Sequence, residues 1–142
     1  MSKGYPTIVY TEEVMREGWQ IEDAKIPVDR KVALLNALSE TGLKRIVVGS
    51  FVSPKYTPQM ACIDEIMQKF TPKPGVTYLA LALNEKGQER ARKYAPPLTI
   101  ETKLPMLYCH MCDVFIRRNT NRSQMHEMSL WPATIERARA AG

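Results

Sequence analysis

The stretch VDRKVALLNALSETGLKRIVVGS, residues 28–50, decides the fold. Val32, Leu35 and Leu38 recur at spacing three and Leu34 widens the stripe, so residues 28–41 read as an amphipathic helix. Gly42 stands where a helix closes in a left-handed residue, a conformation glycine adopts without a steric penalty. The next run, residues 46–49, is short, apolar and rich in β-branched residues. That is the composition of a strand buried on both faces of a parallel sheet.

The same alternation continues outward. Residues 7–14 read as a first strand. Thr57 and Pro58 are suited to the N-cap and first position of a helix that carries Ile63, Ile66, Met67 and Phe70 on one side. Pro72, Lys73, Pro74 and Gly75 mark a turn. Residues 76–83 are a third strand, and Asn84 caps a helix through Tyr94 that Pro96 and Pro97 stop. Residues 106–112 read as a fourth strand. A polar loop over 117–123 leads to a last helix through Ala141, which Pro132 either kinks or starts. The reading is α/β: four βα units in a single domain, residues 1–142, with parallel strands covered by helices. Four units fit a small open doubly wound sheet or half of an eight-fold barrel, and periodicity alone does not separate the two. No glycine-rich phosphate loop is present, which lowers the nucleotide-binding reading.

Composition narrows the function. With 44% apolar and 25% charged residues the 142-residue chain is that of an ordinary globular protein with a core. No apolar run approaches a membrane span, and no secretory leader is visible, so no membrane is expected and a reducing cytoplasm is the default for three cysteines. Twenty basic against 15 acidic residues give +5. That suits an anionic metabolite, and no basic block with interleaved aromatics points to nucleic acid.

Three segments carry a resemblance. Glu13-Val14-Met15-Arg16-Glu17-Gly18-Trp19-Gln20-Ile21-Glu22 resembles the signature that ends the first strand in hydroxymethylglutaryl-CoA lyases and related synthases, where the usual form is Arg-Asp-Gly, a variable residue, then Gln. Ser50-Phe51-Val52-Ser53-Pro54-Lys55, followed by Pro58-Gln59-Met60, is similar to the loop after their second strand, and Leu38-Ser39-Glu40-Thr41-Gly42-Leu43 to the end of their first helix. Asn119 and Asn121 stand as in the loop after their fourth strand. The resemblance implies the N-terminal half of a TIM (β/α)8 barrel. It also implies a divalent metal (magnesium or manganese, or zinc) and a carbon–carbon bond made or broken through an enolate. A cation and an arginine beside the carbonyl oxygen stabilise such an enolate.

Carried over by position, Arg16 polarises the substrate carbonyl and Glu17 is the metal ligand. Gln20, Ser50, Ser53, Lys55, His110 and Asn119 are the candidate substrate-binding residues. The substrate class is an acyl-CoA or a 2-oxo or hydroxy acid. Val47 stands where the lyases carry a Glu, and neither His110 nor His126 lies in the family's His-X-His metal pair. A half-barrel leaves parallel edges unpaired. Another chain, or the missing C-terminal half, is therefore expected to supply strands 5–8. The alternative is a non-catalytic half-barrel that serves a complete enzyme as a structural or regulatory partner.

Several residues also have plainer readings. Cys109 and Cys112 have zinc half-site spacing, but on a strand they face opposite ways, so buried thiols are the expectation. His110 is a packed histidine or a substrate contact, and His126 is exposed. Arg117, Arg118 and Arg122 hold a carboxylate or phosphate, or form a solvated loop. The eight methionines read as core filler. Trp19 lines the pocket or packs.

Overall fold

The computed structural model describes residues 4, 7–101, 105–107 and 109–141. It divides into two compact units, residues 1–102 and 103–142.

The first unit is a parallel sheet of three strands, β1 (Arg45–Ser50), β2 (Thr77–Leu81) and β3 (Leu98–Thr99), in that order. Helices α2 (Ile63–Lys69) and α3 (Glu85–Arg92) form the crossovers, and α1 (Val28–Glu40) precedes β1. In α1 the buried face is Lys31, Val32, Leu35 and Ser39, the expected helical stripe. Gly42 closes it at φ 91°. Asn84 caps α3 as expected, its side chain accepting from the Gly87 amide at 2.9 Å. Gly49, at φ 150°, lies so close to α2 that an added Cβ would sit 2.7 Å from Ile63 Cδ1.

The register separates the two faces of the sheet. Ile46 pairs with Tyr78 and Tyr78 with Leu98, and all three belong to the core with Leu35, Ile63 and Ile66. One residue further on, Val47 pairs with Leu79 and Leu79 with Thr99. Successive strand residues point to opposite faces, so this second row lies on the face away from those helices. In the core, the Tyr78 hydroxyl donates to Ser39 Oγ (2.8 Å) and accepts from the Lys73 amide (2.9 Å), so a fully buried phenol is satisfied.

Several expectations need correction. The first strand shrinks to one parallel bridge at Glu12, whose amide donates to the Arg45 carbonyl (3.0 Å) and whose carbonyl accepts from the Val47 amide (2.8 Å). From Glu13 the chain turns away into a π-helical turn, Val14–Gly18. The described residues of 106–112 form no strand, and Tyr108 lies outside them. The place beside β2 is taken by β3, directly after Pro97, where only a helix stop was expected. The polar loop over 117–123 is largely helix.

The second unit is helical: α4 (Asp113–Thr120), α5 (Gln124–Ser129) and α6 (Trp131–Ala141). Asn121 ends α4 in the left-handed region at φ 57°. Ser123 caps α5, and Pro132 sits in the first turn of α6 and so marks its start. Cys112 is exposed and Cys109 half-buried, so neither is the buried thiol expected. Met15, Met60 and Met67 are core residues, whereas Met106, Met111, Met125 and Met128 are exposed. His126 is exposed as expected. No helix among the described residues is long and apolar enough to cross a membrane.

Two outcomes follow from this packing. A Cβ on Gly18 would meet Val14 Cγ2 at 2.8 Å. Gly18→Ala should therefore lower stability by about 1–3 kcal/mol, the usual cost of overpacking, in a urea titration. Asp64 joins α2 to the segment after α3. Burial raises its carboxyl, but hydrogen bonds from Arg90 and the Tyr94 hydroxyl (2.9 Å) outweigh this and hold it below the ordinary value of 3.8. A lowered folded value gives stability that is complete above the unfolded value and lost as pH falls through the folded one. Asp64→Asn should be the less stable protein at neutral pH, and the difference should close on acidification below 3.8, followed by thermal melts.

Candidate active site

The π-helical turn sets the site. The Arg16 and Glu17 amides donate to the Glu13 carbonyl (2.9 and 2.8 Å), and the Trp19 amide closes the wider turn by donating to the Val14 carbonyl, five residues back. Such turns are rare and concentrate at functional sites. Met15 is buried beneath it and accepts from Trp19 Nε1 at 3.3 Å, which fixes which side of the turn faces the core. Arg16 is left on the side of the open sheet face.

There Arg16 borders a cavity of about 160 Å³ with Glu13, Val47, Leu79, Thr99 and Glu101 among its lining residues. The floor is the Val47–Leu79–Thr99 row set by the strand register. Arg16 Nε donates to Glu13 Oε2 at 2.8 Å and Nη2 to Glu17 Oε1 at 2.7 Å. Its side chain keeps only 20% of its exposure, whereas Glu17 keeps 60%. Two carboxylates thus hold the guanidinium in place and supply the desolvated cation with counter-charge. Glu101 is fixed on the far side by Arg45 (2.7 Å), whose hydrogen bond holds the Glu101 carboxyl below the usual range.

The other candidates are distributed. Gln20 is half-buried just beyond the turn. Ser50 ends β1 fully buried, and its Oγ has no hydrogen-bond partner. An unpaired buried hydroxyl costs about 1–3 kcal/mol, so this one calls for a functional reason. Ser53 and Lys55 are exposed in the following loop, with the Lys55 ammonium 5.7 Å from the Tyr56 ring centre. His110 and Asn119 belong to the second unit. His110 packs edge-on against Phe115 at 4.7 Å, and exposed Asn119 donates to the Phe115 carbonyl at 2.8 Å. Arg117 pairs with Asp113 and Arg122 with Glu127. Trp19 packs on Met15 and Lys31 and is not among the cavity's lining residues.

Sequence reasoning missed Glu13, Thr99 and Glu101. Glu13 carried a signal, since three residues before Arg16 is within reach on any helical turn. Thr99 and Glu101 carried none once β3 was unrecognised.

Among the described residues the donors do not by themselves make a metal centre. Glu17 is engaged by Arg16, and no group of three His, Cys, Asp or Glu among the described residues is placed to hold an ion. Cys109 and Cys112 belong to no such group either: Cys109 Sγ turns to the His110 carbonyl, and Cys112 stands exposed at the N-cap position of α4.

Comparison with known proteins agrees with the geometry. No protein-family profile matches the chain. Over 124 residues it is 40% identical to the 3-hydroxy-3-isohexenylglutaryl-CoA/hydroxymethylglutaryl-CoA lyase of Pseudomonas aeruginosa, covering 87% of this chain and 39% of that protein. The mitochondrial hydroxymethylglutaryl-CoA lyase of Gallus gallus is 35% identical over 138 residues, 96% of this chain and 44% of the relative. Among solved structures, the Brucella melitensis HMG-CoA lyase matches with a TM-score of 0.70 at 32% identity, over 93% of this chain and 44% of that one. An Acinetobacter baumannii HMG-CoA lyase in complex with coenzyme A and 3-methylmalate matches at a TM-score of 0.69 and 28% identity, over 93% of this chain and 41% of that one. These neighbours are TIM barrels, which favours the barrel of the two architectures that periodicity leaves open. The chain spans about two-fifths of the length of the relatives it matches. At 40% and 35% identity over 87% and 96% of its length, the chain belongs to the hydroxymethylglutaryl-CoA lyase-like family and matches the N-terminal part of its members.

Proposed function

We propose that this chain supplies the carbonyl-binding part of a lyase-like enzyme that makes or breaks a carbon–carbon bond next to a carbonyl, through an enolate. The observation that carries the reading is Arg16, held by two carboxylates at the rim of an apolar-floored cavity on the open sheet face. Breaking such a bond moves an electron pair onto the neighbouring carbonyl oxygen. A fixed guanidinium stabilises that oxygen with charge and with directed N–H donors. Glu13 and Glu17 engage Nε and one Nη2 N–H, two of the five guanidinium donors, so a substrate oxygen can accept from the others while both carboxylates stay in place. The substrate class is an acyl-CoA or a 2-oxo or hydroxy acid. Ser50, at the C-terminal end of a barrel strand, where barrel active sites lie, is the next candidate for contact with it. Gln20, Ser53 and Lys55 are further candidates in the same unit.

The site is completed from elsewhere. Glu17 is a single carboxylate, and a divalent metal in the assembled enzyme needs its other ligands from strands 5–8, supplied by another chain or by the remaining half. The surface supports such a neighbour. Ile8, Val9 and Tyr10 are 70%, 67% and 70% exposed, and with Leu38 and Leu43 they line an apolar groove of about 780 Å³ beside the bridge at Glu12. An open sheet edge flanked by exposed apolar side chains is a docking surface for further strands.

Arg16→Ala in the assembled enzyme should lower turnover by about 10²–10³-fold, the usual effect of removing a donor to a developing oxyanion. Arg16→Lys should recover only part of this, because a point charge lacks the guanidinium fork. Turnover unchanged in Arg16→Ala, measured by steady-state kinetics, would overturn the assignment.

A further inference from the structure

We propose that Cys62 and Lys31 are a modification site, at which peroxide joins the two side chains through a sulfur–nitrogen bond. The site is outside the Arg16 cavity and does not depend on the lyase reading.

Lys31 lies on α1 and is 1% exposed. Lysines are almost never that buried unless paired, yet no carboxylate among the described residues forms an ion pair with it. Its Nζ donates instead to the Gln59 carbonyl at 2.8 Å and to Cys62 Sγ at 3.4 Å, with the Trp19 ring centre at 5.5 Å. Cys62 Sγ turns towards the same Gln59 carbonyl at 3.8 Å. The buried amine therefore faces a carbonyl, an aromatic ring and a thiol. Cys62 is half-buried, so a small oxidant reaches the sulfur while the nitrogen stays shielded. The nitrogen–sulfur distance falls in the range of about 3–3.5 Å at which two groups are held ready to react.

The chemistry closes with hydrogen peroxide as the oxidant. The Cys62 thiol is oxidised to a sulfenic acid and the peroxide is reduced to water. Lys31, after giving one proton to solvent, attacks the sulfur with its nitrogen lone pair. The S–N bond forms, the S–O bond breaks, and the oxygen leaves as water with a proton from the nitrogen. Overall one ammonium, one thiol and one peroxide yield one sulfenamide, two waters and one proton. Exogenous thiol reverses it by attack on sulfur. The link ties α1 to the turn that leads into α2, next to Trp19 of the Arg16 signature.

The test is intact mass and peptide mapping of the full chain carrying Cys109→Ser and Cys112→Ser, which removes the other two thiols. Peroxide should lower the monomer mass by about 2 Da, join the Lys31 and Cys62 peptides, and be reversed by dithiothreitol. In Lys31→Arg, Cys62 should instead gain oxygen in steps of about 16 Da. If that variant does not fold, Cys62→Ser serves in its place and should show no loss of mass. Oxygen added to Cys62 with Lys31 present and no joined peptides would overturn the proposal, as would an unchanged mass.

Discussion

Two backbone hydrogen bonds at Glu12 set the position of the site. Glu12 donates to the Arg45 carbonyl and accepts from Val47, which places the chain parallel to β1 for a single residue. The π-helical turn starts two residues later, so the location of Arg16 is inherited from that bridge. A full strand through Val14 would carry the arginine along the sheet edge. Ending the pairing at Glu12 lets the turn fold back so that Arg16 meets Val47, Leu79 and Thr99 at one cavity. Gly18 permits this, because the turn packs Val14 against its Cα.

The parallel register does the rest. Up to Val47, before the register of β1 on β2 shifts, strand pairing aligns Ile46, Tyr78 and Leu98 towards the core and Val47, Leu79 and Thr99 towards the opposite face. The first row is covered by helices of the same unit. The second is floor to Arg16. Burial thus fixes the register, and the register fixes what lies under the arginine. Val47 and Leu79, both buried, limit water around a guanidinium that keeps 20% of its exposure, which raises the worth of each charge contact made there. Glu13 and Glu17 are the consequence on the protein side, since a desolvated cation without a counter-charge is unstable.

Much of this was legible in the sequence, and the failures have physical reasons. The α1–Gly42–β1 stretch was readable because its periodicity, cap and β-branched run point to one structure. Arg16 and Glu17 are candidates through a short motif whose order along the chain fits the downstream loop. The first strand was over-read, because Ile8, Val9 and Tyr10 are apolar but exposed, and apolarity alone does not provide a ladder partner. Leu98–Thr99 was missed because two residues carry no periodicity and the prolines before them signal only a stop. The run from Met106 to Cys112 looked like a strand by composition, yet the edge of β2 was already taken. Glu101 reached the cavity only through that unrecognised strand.

On the proposed reading this sheet is part of a barrel and is completed by strands beyond its own. The mass in solution of the purified chain, by light scattering after gel filtration, decides this. A particle heavier than one chain is expected, either with a second polypeptide or with further copies that cover the edge at residues 7–12. A stable, non-aggregating particle of 16.2 kDa, the mass of a single chain, would contradict it.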